Sequence, residues 1–451
     1  MGLFVAPAAP KPSRDVAAPR TSSRLPPVAP LPSLLRAFRH PAYRLFYAGQ
    51  FVSILGNWLH SLATAWLVYR LTGSALLLGL TSAAQQLPML FLAPVAGVWS
   101  DRLERRTLLA AVQSVAAVIA LTLAALTFTG RISPSLLVVL ALVYGITAAI
   151  ETPTRQAFLL ELVGRKEELP NAIALQSMLF NGARFIAPSI AGILLATVGE
   201  AWCFALNGVS FLAVVAAYAA MRPYPRERPT THGVWWTELA EGVRSAFGSL
   251  YSRRLLLLLA SLAFFSAPWQ SLMPIFAAET FGGRSETFGF LVSAVGFGAL
   301  GATALLASRS SIRGLGKLIV AGGLACGGGL TAVGLSYSMP VSLAALTLFG
   351  FGLIAAVAST NTILQTAAEE HLRGRVIALY VTFFLGVAPF GNLAGGWLAE
   401  RVGVHATLTA FGIALAFCVS LFAAGYERWH AALAGTRPAA TKVPAKVDRA
   451  G

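Results

Sequence analysis

The chain has 451 residues, of which 56% are hydrophobic and only 12% are Asp, Glu, Lys or Arg. A typical soluble domain carries about 25% charged residues, so a chain with a mean hydropathy of +0.70 has more apolar surface than a water-soluble fold can bury. The net charge of +16 would suit a nucleic-acid partner only if the basic residues were clustered on one soluble surface.

Apolar stretches of about 20 residues recur along the whole chain, and each is long enough to cross a bilayer core of about 30 Å. They predict an all-α, polytopic membrane protein with twelve transmembrane helices. The predicted spans are residues 44–69, 76–99, 107–129, 134–156, 169–198, 201–221, 255–279, 284–307, 315–336, 339–364, 372–400 and 403–425.

Lys and Arg are distributed unevenly between the two sides of this predicted topology. With the N-terminus in the cytoplasm, 29 of the 34 basic residues fall on the cytoplasmic side. Arg184 lies inside a span, and the outer side holds Arg70, Arg131, Arg284 and Arg401. This is the bias of the positive-inside rule, so the basic composition indicates cytoplasmic termini and not a nucleic-acid partner.

Composition also predicts the domain boundaries. We expect disordered cytoplasmic tails at 1–35 and 429–451, six-helix bundles at 36–221 and 255–428, and a cytoplasmic linker at 222–254. In the linker, apolar residues recur at three- and four-residue spacing. They predict an amphipathic helix, either at the membrane surface or packed under the bundle. These residues are Trp236, Leu239, Val243, Phe247 and Leu250.

The two predicted bundles repeat one another at an offset of 204 residues, which aligns 173–199 with 377–403. A parallel repeat of six plus six spans favours a transporter whose halves rock about a central site. The matched glycines include Gly192 with Gly396, Gly199 with Gly403, Gly79 with Gly283, and Gly97 with Gly301.

The stretch "AGVWSDRLERRTLL", residues 96–109, concentrates charge between predicted spans two and three. Gly97 would let a neighbouring backbone approach closely, and Asp101 would pair with a cation or face a helix N-terminus. Arg102, Arg105 and Arg106 would anchor the loop at the inner surface. A topological stop signal would need only the arginines, so Gly97 and Asp101 favour a gating latch.

"GVWSDRLERR" resembles the G-x-x-x-D-R-x-x-R-R loop of the major facilitator superfamily. "YRLTGSALLLGL", "ETPTRQAFLLELV", "NGARFIAPSIAGILL" and "HLRGRVIAL" are similar to the branch that includes the enterobactin exporter and other secretion permeases. The resemblance extends from about residue 40 to 428. It implies two pseudo-symmetric six-helix bundles, alternating access, a monomer, and a location in the bacterial inner membrane.

The same resemblance implies a role for the charged loop. Asp101, with Gly97, Arg102 and Arg106 matching the family pattern, would help to hold the cytoplasmic side shut when the cavity faces outward. The corresponding second-half loop, "ASRSSIRGLGK", has no Asp. The latch would therefore be one-sided.

Four residues are candidates for helix kinks and close packing: Pro188, Gly192, Pro389 and Gly396. "NGARFIAPSIAGILL" partly matches the fifth-helix motif associated with exporters in this superfamily, with Ala187 in place of the glycine that precedes proline. The motif would favour export, or the helix would be a packing helix with no bearing on direction.

Ionisable residues near mid-bilayer are costly and indicate function. Arg184 lies near the centre of span five, and Glu151 in span four lies at a depth that would allow the two to pair. The pair would be structural, or Arg184 would bind an anion or take part in coupling. His60, titrating near neutrality, would carry a coupling proton or hydrogen-bond between helices.

Amide side chains are spread over both bundles and together predict a polar central cavity, although a single amide is more often a helix-packing contact. Trp58 and Trp269 would stack on a flat substrate or serve packing. The remaining substrate or coupling candidates are Asn57, Gln85, Gln86, Asn181, Gln270, Asn361, Gln365 and Asn392.

Enzyme chemistry has little support in this sequence. Cys203, Cys326 and Cys418 lie on separate predicted helices without disulfide or metal spacing, and no Gly-Lys-Ser/Thr phosphate loop occurs. We expect no metal, no other cofactor and no enzymatic activity.

The leading hypothesis is a transporter that exports an amphipathic small molecule, siderophore or drug-like, through the lipid bilayer. Protons are the expected coupling ion, and Glu151, His60 or a substrate charge would carry them. The alternatives are a lipid or lysolipid flippase, an uncoupled facilitator, and, from another class, a non-transporting membrane sensor or scaffold.

Overall fold

A computed structural model describes residues 35–164, 167–222, 250–309, 311, 314–367 and 373–435. The predicted N-terminal tail lies outside these ranges except for its last residue. The first seven residues of the predicted C-terminal tail, 429–435, belong to the last helix, and the rest lie outside the described ranges. So does the linker at 223–249, which carries nearly all of the predicted amphipathic helix.

Regular structure in the described ranges is entirely helical. A short 3₁₀ helix, Arg36–Arg39, precedes thirteen α-helices. These are α1 Pro41–Thr72, α2 Ala75–Arg102, α3 Arg105–Phe128, α4 Pro134–Val163, α5 Leu169–Ala220, α6 Leu250–Ser266, α7 Pro268–Phe281, α8 Ser285–Ala307, α9 Leu315–Leu335, α10 Met339–Ala367, α11 Arg373–Leu385, α12 Ala388–Val402 and α13 Val404–Gly435.

Eleven stretches of the described chain are long and apolar enough to cross a membrane. One of them, α5, has 52 residues, and Gly199, with φ 81°, breaks it into two spans. The prediction of twelve spans is therefore confirmed. Gly403, the repeat partner of Gly199, has φ 85° at the equivalent turn, and glycine adopts this left-handed conformation without steric cost.

Two pairs of successive helices act as single spans. α6 and α7 join at Ala267 into one stretch, and α11 and α12 join at Gly386 and Val387 into another. Each junction is followed by a proline near the start of the second helix, Pro268 or Pro389. Proline lacks the amide hydrogen that an uninterrupted helix would need.

The helices form two bundles of six spans, α1–α5 and α6–α13, which are called the first and second halves below. The halves meet mainly where α5 packs on α8 and where α2 packs on α12. The three cysteines lie on three different helices and are unpaired, as expected.

Glycines allow backbone contact at both of these helix pairs. A Cβ on Gly192 would lie 2.8 Å from Gly289 Cα, and a Cβ on Gly79 would lie 3.1 Å from Gly396 Cα. Side chains at these positions would hold the helices apart, so the small residues fix how closely the two halves approach.

Both contacts lie toward one end of the molecule, here called the far end, which also carries the Arg70–Glu200 ion pair. There the Glu400 carboxylate of the second half accepts hydrogen bonds from Ser74 Oγ and the Leu76 amide of the first half, both at 3.1 Å. The far end is therefore closed between the halves.

The opposite end, here called the basic end, carries the charged loop at 101–106. Toward this end, no described atom of a neighbouring element lies within 4 Å of a Cβ placed on Gly97. Gly97 lies on the same face of α2 as Gly79, about five helical turns away, so α2 diverges from the second half toward the basic end.

The repeat is present with one correction to its register. The turns at Gly199 and Gly403 lie 204 residues apart, but α2 and α8 begin 210 residues apart, at Ala75 and Ser285. The structural partner of Gly79 is therefore Gly289, which makes the equivalent contact between the halves, and not Gly283. The two halves differ in length between their second and fifth spans, which a single offset cannot represent.

Candidate functional site

A cavity of about 500 Å³ lies between the two halves, where the far-end contacts stop. Its size falls in the range of small-molecule sites, roughly 300–1,000 Å³. Helices α1, α2 and α5 of the first half line it, together with α6, α7, α8, α10, α11 and α12 of the second half.

The two walls of the cavity differ in chemistry. Of the ten described lining residues from the first half, seven have polar side chains, whereas only four of the nineteen from the second half do. The second-half wall is built mainly from aliphatic and aromatic side chains, such as Leu353, Ile354, Val357 and Phe384. The cavity is thus shaped for a molecule with one polar and one apolar side.

Arg184 is the one charged side chain among the described lining residues, and no Asp or Glu is found among them. Its side chain is exposed, and no ion-pair or hydrogen-bond partner for its guanidinium occurs in the described part of the chain. Its backbone packs tightly on the second half, since a Cβ on Gly296 would lie 2.2 Å from its carbonyl oxygen.

Four of the predicted amide candidates line the same cavity: Gln85, Gln86, Gln270 and Asn392. Asn392 is buried, and its Oδ1 accepts a hydrogen bond from Ser271 at 3.0 Å. The same cavity therefore offers amide donors and acceptors together with a single cation.

The two predicted aromatic candidates also line the cavity. Trp58 comes from the first half and Trp269 from the second. Each half thus contributes one indole ring to the space that a flat substrate would occupy.

Asn57 and His60 lie outside the cavity lining. Asn57 Oδ1 accepts a hydrogen bond from Tyr144 at 2.8 Å, and the buried His60 ring stacks on Tyr144 at 4.3 Å and meets Phe204 edge-on. Both side chains connect helices of the first half.

Asn181, Asn361 and Gln365 are also absent from the lining residues. Gln365 donates to Asn361 Oδ1 within the same helix at 2.8 Å, and Asn181 is partly buried in α5. The rotation of each helix, which composition does not encode, decides whether an amide faces the cavity.

Glu151 pairs with Arg155 and not with Arg184. Arg155 Nη1 lies 3.1 Å from Glu151 Oε1 and 3.1 Å from Gln50 Oε1, and its guanidinium lies over the Phe180 ring at 4.7 Å. The expected Arg184–Glu151 pair is absent because a partner four residues away on the same helix is closer. The four-residue spacing of Glu151 and Arg155 in the sequence could have predicted this pair.

Arg105 is nearly buried and joins three helix ends at the basic end, instead of anchoring a surface loop as expected. It binds Asp101 and Glu161, each at 3.0 Å, and it donates to the carbonyl oxygens of Ser100 and Ala157. Sequence reasoning missed Glu161 because the predicted span ended at 156, whereas α4 continues to Val163.

Its neighbours in the loop have separate partners. Arg106 donates to the Met221 carbonyl at 2.9 Å, and Thr107 donates to the Glu104 carboxylate at 2.6 Å. The Thr107 hydrogen bond lowers the pKa of the Glu104 carboxyl, with a smaller contribution from Arg106. Arg102 is exposed.

Gly97 does not make the close backbone approach that was expected of it, since no described atom is near the position of its Cβ. The reason is the divergence of the halves at the basic end.

The two predicted prolines differ in their effect on the helix. The helix α5 continues through Pro188, whereas Pro389 follows the break between α11 and α12.

Solved structures with this fold are transporters. The chain is similar to a bacterial homologue of the human lysosomal transporter Spinster, with a TM-score of 0.66 at 14% identity over 84% of this chain and 95% of that one. It is similar to the nucleoside transporter NupG, with a TM-score of 0.68 at 11% identity over 85% and 99%. These similarities show the fold alone.

Curated relatives cover most of the chain at low identity. The staphyloferrin A transporter of Staphylococcus aureus is 24% identical over 84% of this chain and 94% of its own length. The multidrug efflux pump Tap of Mycobacterium tuberculosis is 28% identical over 85% and 93%. The enterobactin exporter EntS of Shigella boydii is 30% identical over 85% and 91%.

A family model described as transmembrane secretion effector matches residues 32–435. This match covers almost the whole described chain, and it agrees with the helical fold, the central cavity and the charged loop. The chain is therefore a multi-pass membrane transporter, and not an enzyme, that belongs to the transmembrane secretion effector family of the major facilitator superfamily.

Proposed function

We propose that the protein exports an amphipathic small molecule, of siderophore or drug-like size, from the cytoplasm across a bacterial plasma membrane. It does so as a monomer by rocker-switch alternating access, with protons as the coupling ion. The basic end and both termini face the cytoplasm, as the positive-inside rule requires.

The observation that carries this proposal is the two-walled cavity between the halves. Its polar first-half wall and apolar second-half wall suit an amphipathic molecule. The backbone contacts at Gly79 and Gly192 close the far end, while α2 leaves the second half toward the basic end. This arrangement suits loading from the cytoplasm.

The names of the relatives favour the export direction. Two of them are an exporter and an efflux pump, and the third is a transporter of staphyloferrin A. Each covers 84–85% of this chain.

Glu151 is the group that we assign to proton coupling. Its carboxylate and the Arg155 guanidinium are about 15% exposed, and protonation of Glu151 would remove the charge that holds Arg155 in place. Phe180, which Arg155 covers, lies one helical turn from Arg184 in α5. A change at the ion pair can therefore reach the cavity through one helix.

The test uses everted membrane vesicles from cells that lack native exporters. A preformed proton gradient is monitored while catecholate siderophores, dyes, macrolides or lysolipids are added. We expect at least one amphipathic compound to accumulate in vesicles with the wild type and to dissipate the gradient. Glu151→Gln should abolish proton movement. Glu279→Gln, which replaces an exposed carboxylate at the far end, should leave it unchanged.

Two outcomes contradict parts of the proposal. Accumulation that is independent of the proton gradient would overturn coupling and leave a facilitator. If no compound in the panel enters vesicles that contain folded wild-type protein, export of amphipathic small molecules is wrong.

A further inference from the structure

We propose that the substrate binds as an anion, with an acidic oxygen group paired to Arg184 and its apolar body against the second-half wall. This inference rests on the proposed function and specifies its substrate class: amphipathic anions carrying one acidic group beside a flat or aliphatic body.

The first step of the argument is the charge of the cavity. Arg184 is the one charged group among the described lining residues, and its guanidinium has no partner in the described part of the chain. A charge near the middle of a membrane is costly unless it is paired. A bound oxyanion is the partner that the cavity itself does not supply.

The second step is the rigidity of this position. The Arg184 backbone lies against Gly296 of α8, and five residues farther along α5, Ser189 donates to Ser293 of α8 at 2.7 Å. The backbone that carries the cation is therefore held where the halves meet. A guanidinium extended from this position can bind a carboxylate or phosphate through two parallel hydrogen bonds.

The third step is the asymmetry between the halves. The 204-residue repeat places Ala388 at the position equivalent to Arg184, and both residues line the cavity. The second half therefore does not duplicate the charge. The first-half side of the cavity accommodates one acidic group, and Gln85 and Gln86 add amide donors there. The second-half side accommodates an apolar body.

The same asymmetry argues against cationic substrates. A cation in this cavity would meet Arg184 and would find no carboxylate among the described lining residues. Like charges at close range repel, and no carboxylate of the described lining offsets that repulsion.

Two sources could supply this ligand chemistry, a soluble aromatic acid and an anionic lysolipid. Both present an oxyanion next to an apolar body. The experiment below therefore includes one arm for each source.

The test measures binding to the purified full-length protein in detergent, with a matched series of probes: pyrene butanoate, pyrene butanamide and pyrene butylammonium. Since Trp58 and Trp269 line the cavity, quenching of tryptophan fluorescence reports binding. We expect the wild type to bind the anion at least tenfold more tightly than the amide, with the cation weakest.

Arg184→Gln should remove the preference for the anion while leaving the affinity for the amide within twofold. Arg184→Lys should retain part of the preference for the anion, because lysine keeps the positive charge but lacks the planar guanidinium that forms two parallel hydrogen bonds. Arg401→Gln is the matched control, since Arg401 packs on Trp397 at the far end, and it should change nothing. Size-exclusion profiles and melting temperatures establish that each variant is folded.

The source is decided by competition. Displacement of pyrene butanoate by lysophosphatidylglycerol, but not by lysophosphatidylcholine, would assign the site to anionic lysolipids. Displacement by aromatic carboxylates alone would assign it to soluble acids.

Three results would overturn the inference: an anion preference that survives Arg184→Gln, cation binding as tight as anion binding, or no binding of any series member to the wild type. Binding and transport are measured separately. An anion preference without transport in vesicles would remove the export proposal and leave the anion site. Transport without an anion preference would remove the anion site and leave the export proposal.

Discussion

Arg105 connects the ends of α2, α3 and α4 at the basic end of the first half. The side chain is 11% exposed, as is its partner Glu161, and its remaining donors are used by Asp101 and by backbone carbonyls. A buried cation with this many fixed partners is difficult to replace, since any smaller residue loses the 3.0 Å ion pair with the Glu161 carboxylate.

We therefore predict that Arg105→Ala destabilises the protein by about 3 kcal/mol, the usual cost of breaking a buried ion pair. The melting temperature in detergent should fall by roughly 5 °C. Arg102→Ala is the control, because Arg102 is exposed in the same loop, and it should leave the melting temperature unchanged. Equal effects of the two variants would contradict the assignment of Arg105 as the connecting residue.

At the scale of the helices, α2 presents one glycine to a neighbouring backbone and one to open space. A Cβ on Gly79 would lie 2.4 Å from the carbonyl oxygen of Asn392 on α12, whereas a Cβ on Gly97 meets no described atom within 4 Å. The same substitution at the two positions therefore separates a steric effect on the closure of the halves from the general effect of removing a glycine.

Gly79→Ala should weaken closure at the far end, because the added methyl group and the Asn392 carbonyl cannot occupy the same space. Spin labels attached through Arg131→Cys and Leu335→Cys, exposed far-end positions of the two halves, should report a longer mean distance in this variant. Gly97→Ala should leave the distance distribution as in the wild type. An unchanged distribution in Gly79→Ala would show that the contact does not set the closure.

At the scale of the whole molecule, the charge of the substrate determines how transport responds to membrane potential. The outward movement of one negative charge is favoured by about 2.3 kcal/mol per 100 mV, inside negative. If one proton enters as each anion leaves, two charges move per cycle and the driving force doubles.

The expected steady-state ratio follows from this driving force. At 100 mV, inside negative, and equal pH on both sides, an anion carried alone should reach an outside-to-inside concentration ratio of about 50. An anion exchanged for one proton should reach a concentration ratio of roughly 2,500. Proteoliposomes with a potassium diffusion potential and a labelled anion measure this ratio. A ratio that does not respond to potential would exclude the net movement of an anion.

The fold was largely predictable because its determinants are local in the sequence. A membrane span must satisfy its own backbone hydrogen bonds, so it is a helix and requires about 20 apolar residues. Gly199 and Gly403 likewise mark the turns between spans by a backbone conformation that depends on residue type. The register between α2 and α8 was not predictable, because loops of different length shift it.

The sequence by itself determined that this is a twelve-span transporter of known superfamily fold and that Arg184 is a costly charge inside the membrane. Only the tertiary structure decided which polar residues meet in one cavity: Gln85, Gln86 and Arg184 face it, whereas Asn57 and His60 pack between helices. The physical reason is that apolar length sets where a helix crosses the bilayer. The rotation of that helix is set by its contacts with neighbours far away in the chain.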